Sequence, residues 1–500
     1  MNDAHKQKWQ AVLPFFSSKL FQEVQQKPVF EDSKTFADAC VTSDWQSVLT
    51  QYEAGHKRPD FNLIEFVNTH FVLPEATPDS ASVTSVSALD YVHKMWDVLT
   101  RQPDTRDNSS LIGLSRPYIV PGGRFREIYY WDSYFTALGL IDSKRHDMVI
   151  NMLENFLDIL NEVGCVPNGN RAYYHTRSQP PILALMFELV EEHLSVAQKK
   201  RVVTGLLKEH AFWMQGEKDL SPQPLSATCR VVRMPDASVL NRYYDNADTP
   251  RPESWREDIE TAKQAGAKSD EFYRNIRAAC ESGWDFSSRW LAEPDSLASI
   301  RTTEIVPVDL NSLLYRLEKT LARIAPTALQ QQHFDQRATA RKQALQTFLW
   351  SHDYYYDFVL SEGKCSPVVS AAGAVPLFAQ IATTSQAKAV QQKLEQCLLK
   401  AGGIVTTSLE TGQQWDTPNG WAPLQYFCVQ GLINYEHQGL ADTIMQRFIS
   451  TVEHHYENNG VMLEKYNVCT PHLRAGGGEY DIQLGFGWTN GVYKRFKTWL

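Results

Sequence analysis

The sequence predicts an all-α protein. Apolar residues recur at helical spacing along most of the chain, strand-type alternation is scarce, and the segments between helices are long, aromatic and rich in glycine and proline. In chain order, Val149, Met152, Leu153, Phe156, Leu160 and Val163 share one helical face and are stopped by Gly164. Further helices are expected over roughly 182–194 and 202–215. From Leu310, the residues Leu313, Leu314, Leu317, Leu321 and Ile324 form a second clear stripe, with Asp309 as N-cap and Pro326 closing the run. Helices follow over 337–350, around Val390, Leu394 and Leu398 before Gly402 and Gly403, and over 422–435 and 441–456.

Composition narrows the class. The chain has 500 residues, 43% hydrophobic and 21% charged, enough for a large core. A single catalytic domain over 1–500 is expected, with 1–100 as an arm lying against a 101–500 body and a weak boundary at 74–87. A formal charge of -9 with scattered basic residues suits neither nucleic acid nor an anionic membrane. No segment approaches the roughly 18 apolar residues of a membrane span, and the start of the chain shows no basic-then-apolar leader, so a cytoplasmic protein is expected. Eight dispersed cysteines read as mostly buried thiols of a reducing compartment. His454 and His455 are adjacent and no H-E-x-x-H occurs, so no metal site is expected.

The interhelical segments carry the chemistry. A sugar presents hydroxyls around apolar ring faces, which proteins meet with stacked aromatic rings and forked polar groups. Hydrolysis adds two carboxyl groups, one protonated and one ionised. Residues 117–134, 164–181, 230–256, 281–290, 403–423 and 463–490 hold this mixture of Trp, Tyr, Arg, Asn and carboxylates. Asp132, Glu253, Asp285, Asp416, Glu464 and Glu479 are the candidate carboxylates, and spacing does not choose among them. Bland readings stand beside the functional ones: Asp285 as the N-cap of a helix from Phe286, Glu464 with Lys465 as an exposed charged pair, and Gly476–Gly478 as a mobile turn.

The wording of the motifs goes further. PGGRFREIYYWDSY at 121–134 and QWDTPNGWAP at 414–423 resemble the two signatures of the trehalases of glycoside hydrolase family 37. PNGNR, RSQPP, SGWD, EKY, GGGEY and GFGWTNG follow in that family's order, and the resemblance spans roughly 110–495. It implies an (α/α)6 toroid with long functional loops at one end and inverting hydrolysis of α,α-trehalose to two glucoses. It also implies no metal or organic cofactor, and a cytoplasmic bacterial trehalase acting as a monomer is expected.

Carried over by motif, Asp285 is the general acid and Glu464 the general base. The sugar would be bound by Arg124, Trp131, Asp132, Asn168, Arg177, Ser178, Gln179, Arg251, Glu253, Gly283 and Glu479, with 476–478 forming part of a lid. Family members often have Asp after EKY, where this chain has Asn467. Two rivals remain: a carbohydrate-binding protein without catalysis, and a toroid glycosidase acting on longer glucans.

Overall fold

A computed structural model describes residues 9–27, 29–74, 80, 83–104, 108–266 and 269–500. A short helix of the arm, α1 (Ser33–Ala37), starts at the N-cap Asp32, whose carboxylate accepts the Thr35 amide. Ahead of the first signature lies α2 (Ala88–Leu99). Then come α3 (Tyr130–Asp142), α4 (His146–Val163), α5 (Leu183–Val190), α6 (Val196–Trp213), α7 (Val308–Ile324) and α8 (Ala328–Ala344). The series ends with α9 (Val375–Phe378), α10 (Thr384–Lys393), α11 (Ala422–Ile433), α12 (Gln438–Asn459) and α13 (Gly487–Trp499).

Six of these form a closed inner ring: α3 touches α5, then α7, α9, α11 and α13 follow in turn, and α13 returns to α3. The others lie outside, α4 against α3 and α5, α8 against α7, α12 against α11 and α13, and α2 against α13. This is the (α/α)6 toroid. An outer helix needs one apolar stripe, as α4 has; inner α3 is covered all round and buried without a break from Tyr130 to Leu140, whereas inner α7 still exposes Lys319. The ring closes where α3 and α13 nearly touch: a Cβ on Gly491 would lie 2.1 Å from the Phe135 carbonyl oxygen.

Most expected helices are present, with shifted ends. The α4 stripe ends at Gly164, whose φ of 98° makes the left-handed C-cap. Asp309 does not cap α7: it lies inside the helix and binds Arg289, while Pro307 occupies the cap position. Nor does Asp285 cap a helix; the next turn, Ser288–Trp290, is capped by Ser287. Of the expected boundary at 74–87, residues 75–79 and 81–82 lie outside the described residues. The arm shares the main hydrophobic cluster, which runs from Trp9 to Phe496. Cys165, Cys280 and Cys428 are buried, but Cys40, Cys229, Cys365, Cys397 and Cys469 are only half-buried, so burial is less general than expected.

Candidate active site

The inner helices α3, α11 and α13 begin at one end of the ring, and a cavity of about 750 Å³, its open mouth included, is sunk there. Its floor is aromatic. Trp415 and Trp421 stack with ring centroids 4.0 Å apart, Trp488 meets Trp421 edge-on at 5.6 Å, and Trp284, outside the lining, stacks on Trp415 at 5.5 Å. Two of these rings also fix backbone: Trp488 Nε1 donates to the Glu464 carbonyl at 2.9 Å, and Trp421 Nε1 to the Gln414 carbonyl at 3.0 Å.

Asp285 enters the cavity from the turn after the helix Ser269–Glu281. Burial pushes its carboxyl up from 3.8 to about 7, against the pull of Arg251 and with help from the charge of Glu479. Gly283 makes this turn feasible. Its φ is 75°, and a Cβ there would lie 2.7 Å from the Trp131 ring. Glu464 comes from another segment, just before a strand β2 (Lys465–Asn467) that pairs antiparallel with β1 (Asn419–Trp421). Tyr480 donates to Glu464 Oε1 at 2.9 Å and Lys465 Nζ to Oε2 at 3.3 Å. A third carboxyl, Asp132 in the first turn of α3, is raised well above its ordinary value, first by burial and then by the charges of Glu464 and Asp285.

Arginines line the rest. Arg177 donates to Asn168 Oδ1 at 2.6 Å and to Glu253 Oε1 at 2.5 Å. Although burial raises the Glu253 carboxyl, Arg177, Arg251 and Arg277 bring it below its ordinary value. Arg251 forks onto Asp258 and reaches Glu479 Oε1 at 3.0 Å. Arg124 covers the Tyr480 ring at 4.7 Å. Trp131 is held through its amide, which donates to Gln179 Oε1 at 3.0 Å.

Among the described residues, Arg124 Nε, Arg177 Nη1 and Glu253 Oε2 are buried polar atoms of this lining without a hydrogen-bond partner. Such groups are costly to leave unmet, and sugar hydroxyls offer both donors and acceptors.

All the site residues carried over by motif line this cavity except Ser178. Ser178 lies behind the wall, its hydroxyl donating to the Val166 carbonyl at 2.5 Å and its amide to Glu281 at 2.9 Å. Asp416 leaves the carboxylate candidates for a similar reason: Ser287, Ser288, Thr407 and Thr411 saturate its oxygens away from the lining. Glu464 and Lys465 are not an exposed pair; their side chains are 1% and 0% exposed. Sequence reasoning missed Trp488 and Tyr480, although GFGWTNG and GGGEY contain them. It also missed Lys34 on α1, whose one local sign is Asp38 four residues on, its other partner Glu127 lying far along the chain.

A family model described as trehalase matches residues 28–499. A periplasmic trehalase of Salmonella paratyphi B is 46% identical over 480 residues, covering 95% of this chain and 84% of its own. One from Citrobacter koseri is 45% identical with the same coverage, 95% and 84%. Among solved structures, a neutral trehalase of Saccharomyces cerevisiae superposes with a TM-score of 0.63 at 25% identity, over 77% of this chain and 73% of that one. A mannosylglycerate hydrolase of Thermus thermophilus shares the fold, with a TM-score of 0.51 at 18% identity over 76% and 96%.

The bacterial relatives are named periplasmic trehalases, which overturns the expectation of a cytoplasmic bacterial trehalase and of a reducing compartment. That expectation rested on the start of the chain, which does not decide the compartment. Among the described residues, no helix is long and apolar enough to cross a membrane.

Proposed function

The chain belongs to the trehalase family, and from that premise we propose that Asp285 is the general acid and Glu464 the general base of its reaction. The enzyme hydrolyses α,α-trehalose to two glucose molecules with inversion, which displaces both the binding-protein and the longer-glucan readings.

One observation carries the assignment: two buried carboxyls face one cavity from separate segments, and burial lets Asp285 hold its proton near neutral pH. Asp285 gives that proton to the bridging oxygen as the glycosidic bond breaks. Glu464 takes a proton from a water that attacks the anomeric carbon from the opposite face. One glucose leaves as the α anomer, the attacked one as β. Arg124, Trp131, Asp132, Asn168, Arg177, Gln179, Arg251, Glu253, Gly283 and Glu479 bind the sugar in this reading. Residues 1–100 act within it as an arm of one catalytic domain rather than as a separate module.

Chemical rescue tests the two roles separately. Glu464→Ala should lose trehalose hydrolysis, and added azide, which attacks without a base, should restore cleavage and yield β-glucosyl azide. Asp285→Asn should lose trehalose hydrolysis but retain more activity on α-glucosyl fluoride, whose fluoride departs without a proton. Glu464→Ala with near-normal turnover, or Asp285→Asn with equal losses on both substrates, would sink the corresponding assignment.

A further inference from the structure

Lys465 is a buried cation whose role the reaction does not yet explain. Its ammonium donates to Gln414 Oε1 at 2.9 Å and to Glu464 Oε2 at 3.3 Å, and lies over the rings of Trp421 at 5.1 Å and Tyr480 at 5.3 Å. Among the described residues Glu464 is its one ion-pair partner. Gln414 continues the chain of contacts: its Nε2 donates to the Asp285 backbone carbonyl at 2.5 Å. A side-chain path therefore runs from the Asp285 backbone through Gln414 and Lys465 to the Glu464 carboxylate.

The path has one sense only. Turned over, the Gln414 amide would set its NH2 against the ammonium and its oxygen against the Asp285 carbonyl. Its backbone is pinned as well, since its carbonyl accepts from Asn419 Nδ2 and Trp421 Nε1, both at 3.0 Å. Burying a lysine carries a desolvation cost, which suits a cation kept for its effect on one carboxylate.

We propose that Lys465 and Gln414 are positioning residues that hold the base in register with the acid-bearing turn, Lys465 as the ion-pair partner of Glu464. This rests on the assignment of Asp285 and Glu464 above. Inversion needs the two carboxyls at a separation that admits one water, and a direct side-chain link between their segments fixes it. The other groups facing Glu464 are Tyr480, whose ring Arg124 covers, and Asp132 on α3.

The test uses Lys465→Met, Lys465→Arg, Gln414→Met and the Met double variant in the full chain. Lys465→Met should lower kcat by about 100-fold, the cost of misplacing a reacting group by roughly 1 Å, with KM little changed. It should also move the acidic limb of kcat/KM to higher pH, because the base has lost its cation. Lys465→Arg should leave that limb in place, and so should Gln414→Met, which lowers kcat alone. The double variant should be no slower than Lys465→Met.

An unmoved limb in Lys465→Met, or losses that add in the double variant, overturns the relay. Should Lys465→Met not fold, Gln414→Met decides: reduced kcat at unchanged melting temperature supports it, and normal kcat overturns it. Glu464→Ala that keeps its turnover removes the base itself and is distinguishable from failure of the relay.

Discussion

Two buried charged clusters lie a short way apart and are built on opposite rules. Where the arm meets the ring, Lys34 Nζ pairs with Asp38 at 2.6 Å and Glu127 at 2.7 Å, while Arg171 Nε lies 3.5 Å from Asp38 and 3.2 Å from Glu127. Two cations alternate with two carboxylates, and tyrosine hydroxyls finish the coordination, Tyr173 on Asp38 at 2.7 Å and Tyr129 on Glu127 at 2.6 Å. The cluster in the cavity is out of balance. Asp132, Asp285 and Glu464 feel one another's charge or that of Glu479, and burial drives the first two towards the neutral form. A matched cluster holds shape; an unmatched one keeps a proton ready to transfer.

The two clusters part first on activity. Asp285→Asn and Glu464→Gln should each lower kcat by about 10²–10⁴-fold, the usual worth of acid-base catalysis, with little loss of melting temperature. Lys34→Met should do the reverse in kind. Removing one partner of a buried pair costs about 3–5 kcal/mol, so thermal unfolding should come at a clearly lower temperature. Lys34→Met with Glu127→Gln, which restores the charge balance, should recover part of that loss. If Lys34→Met were to melt like the unmutated protein, the arm would not be held by this cluster.

How much of this the sequence carries differs from helix to helix. Helices with a solvent face are legible, as the stripes of outer α4 from Val149 to Val163 and inner α7 from Leu313 to Ile324 show. Inner α3 is hidden inside the first signature, because a helix buried from Tyr130 to Leu140 has no polar face and its Tyr, Trp and Phe resemble a loop packed for function. Inner α13 is hidden likewise behind GFGWTNG. In the site, the cavity side chains follow family wording more than spacing. The matched cluster shows locally only as Lys34 and Asp38 four residues apart; Glu127 and Arg171 join them through folding alone.

Stability should separate the clusters again, with the opposite sign. The Asp285 carboxyl ionises near 3.8 when unfolded and about 7 when folded, so the folded state holds the extra proton between those values. Folding stability from this group is complete below the lower value, falls as pH rises, and is fully lost above the upper one. Asn at this position never ionises. Asp285→Asn should therefore match the unmutated protein's melting temperature near pH 4 and exceed it at pH 8. A lower melting temperature at pH 8 would show that the site is not held at a cost to folding.

The smallest effect probes the balance within the cavity itself. Glu479 raises the Asp285 carboxyl, while Arg251, which Glu479 pairs at 3.0 Å, lowers it. Glu479→Gln removes a negative charge and leaves more of the Arg251 charge to act on Asp285, and both changes favour the ionised acid. The alkaline limb of kcat/KM should then move to lower pH, because the acid gives up its proton sooner. The acidic limb, set by Glu464, should stay nearer its place, since Glu464 binds Tyr480 and Lys465 rather than Glu479. An alkaline limb that stays fixed would mean that Glu479 does not reach the acid during turnover, and the cavity would be less unbalanced than its resting geometry implies.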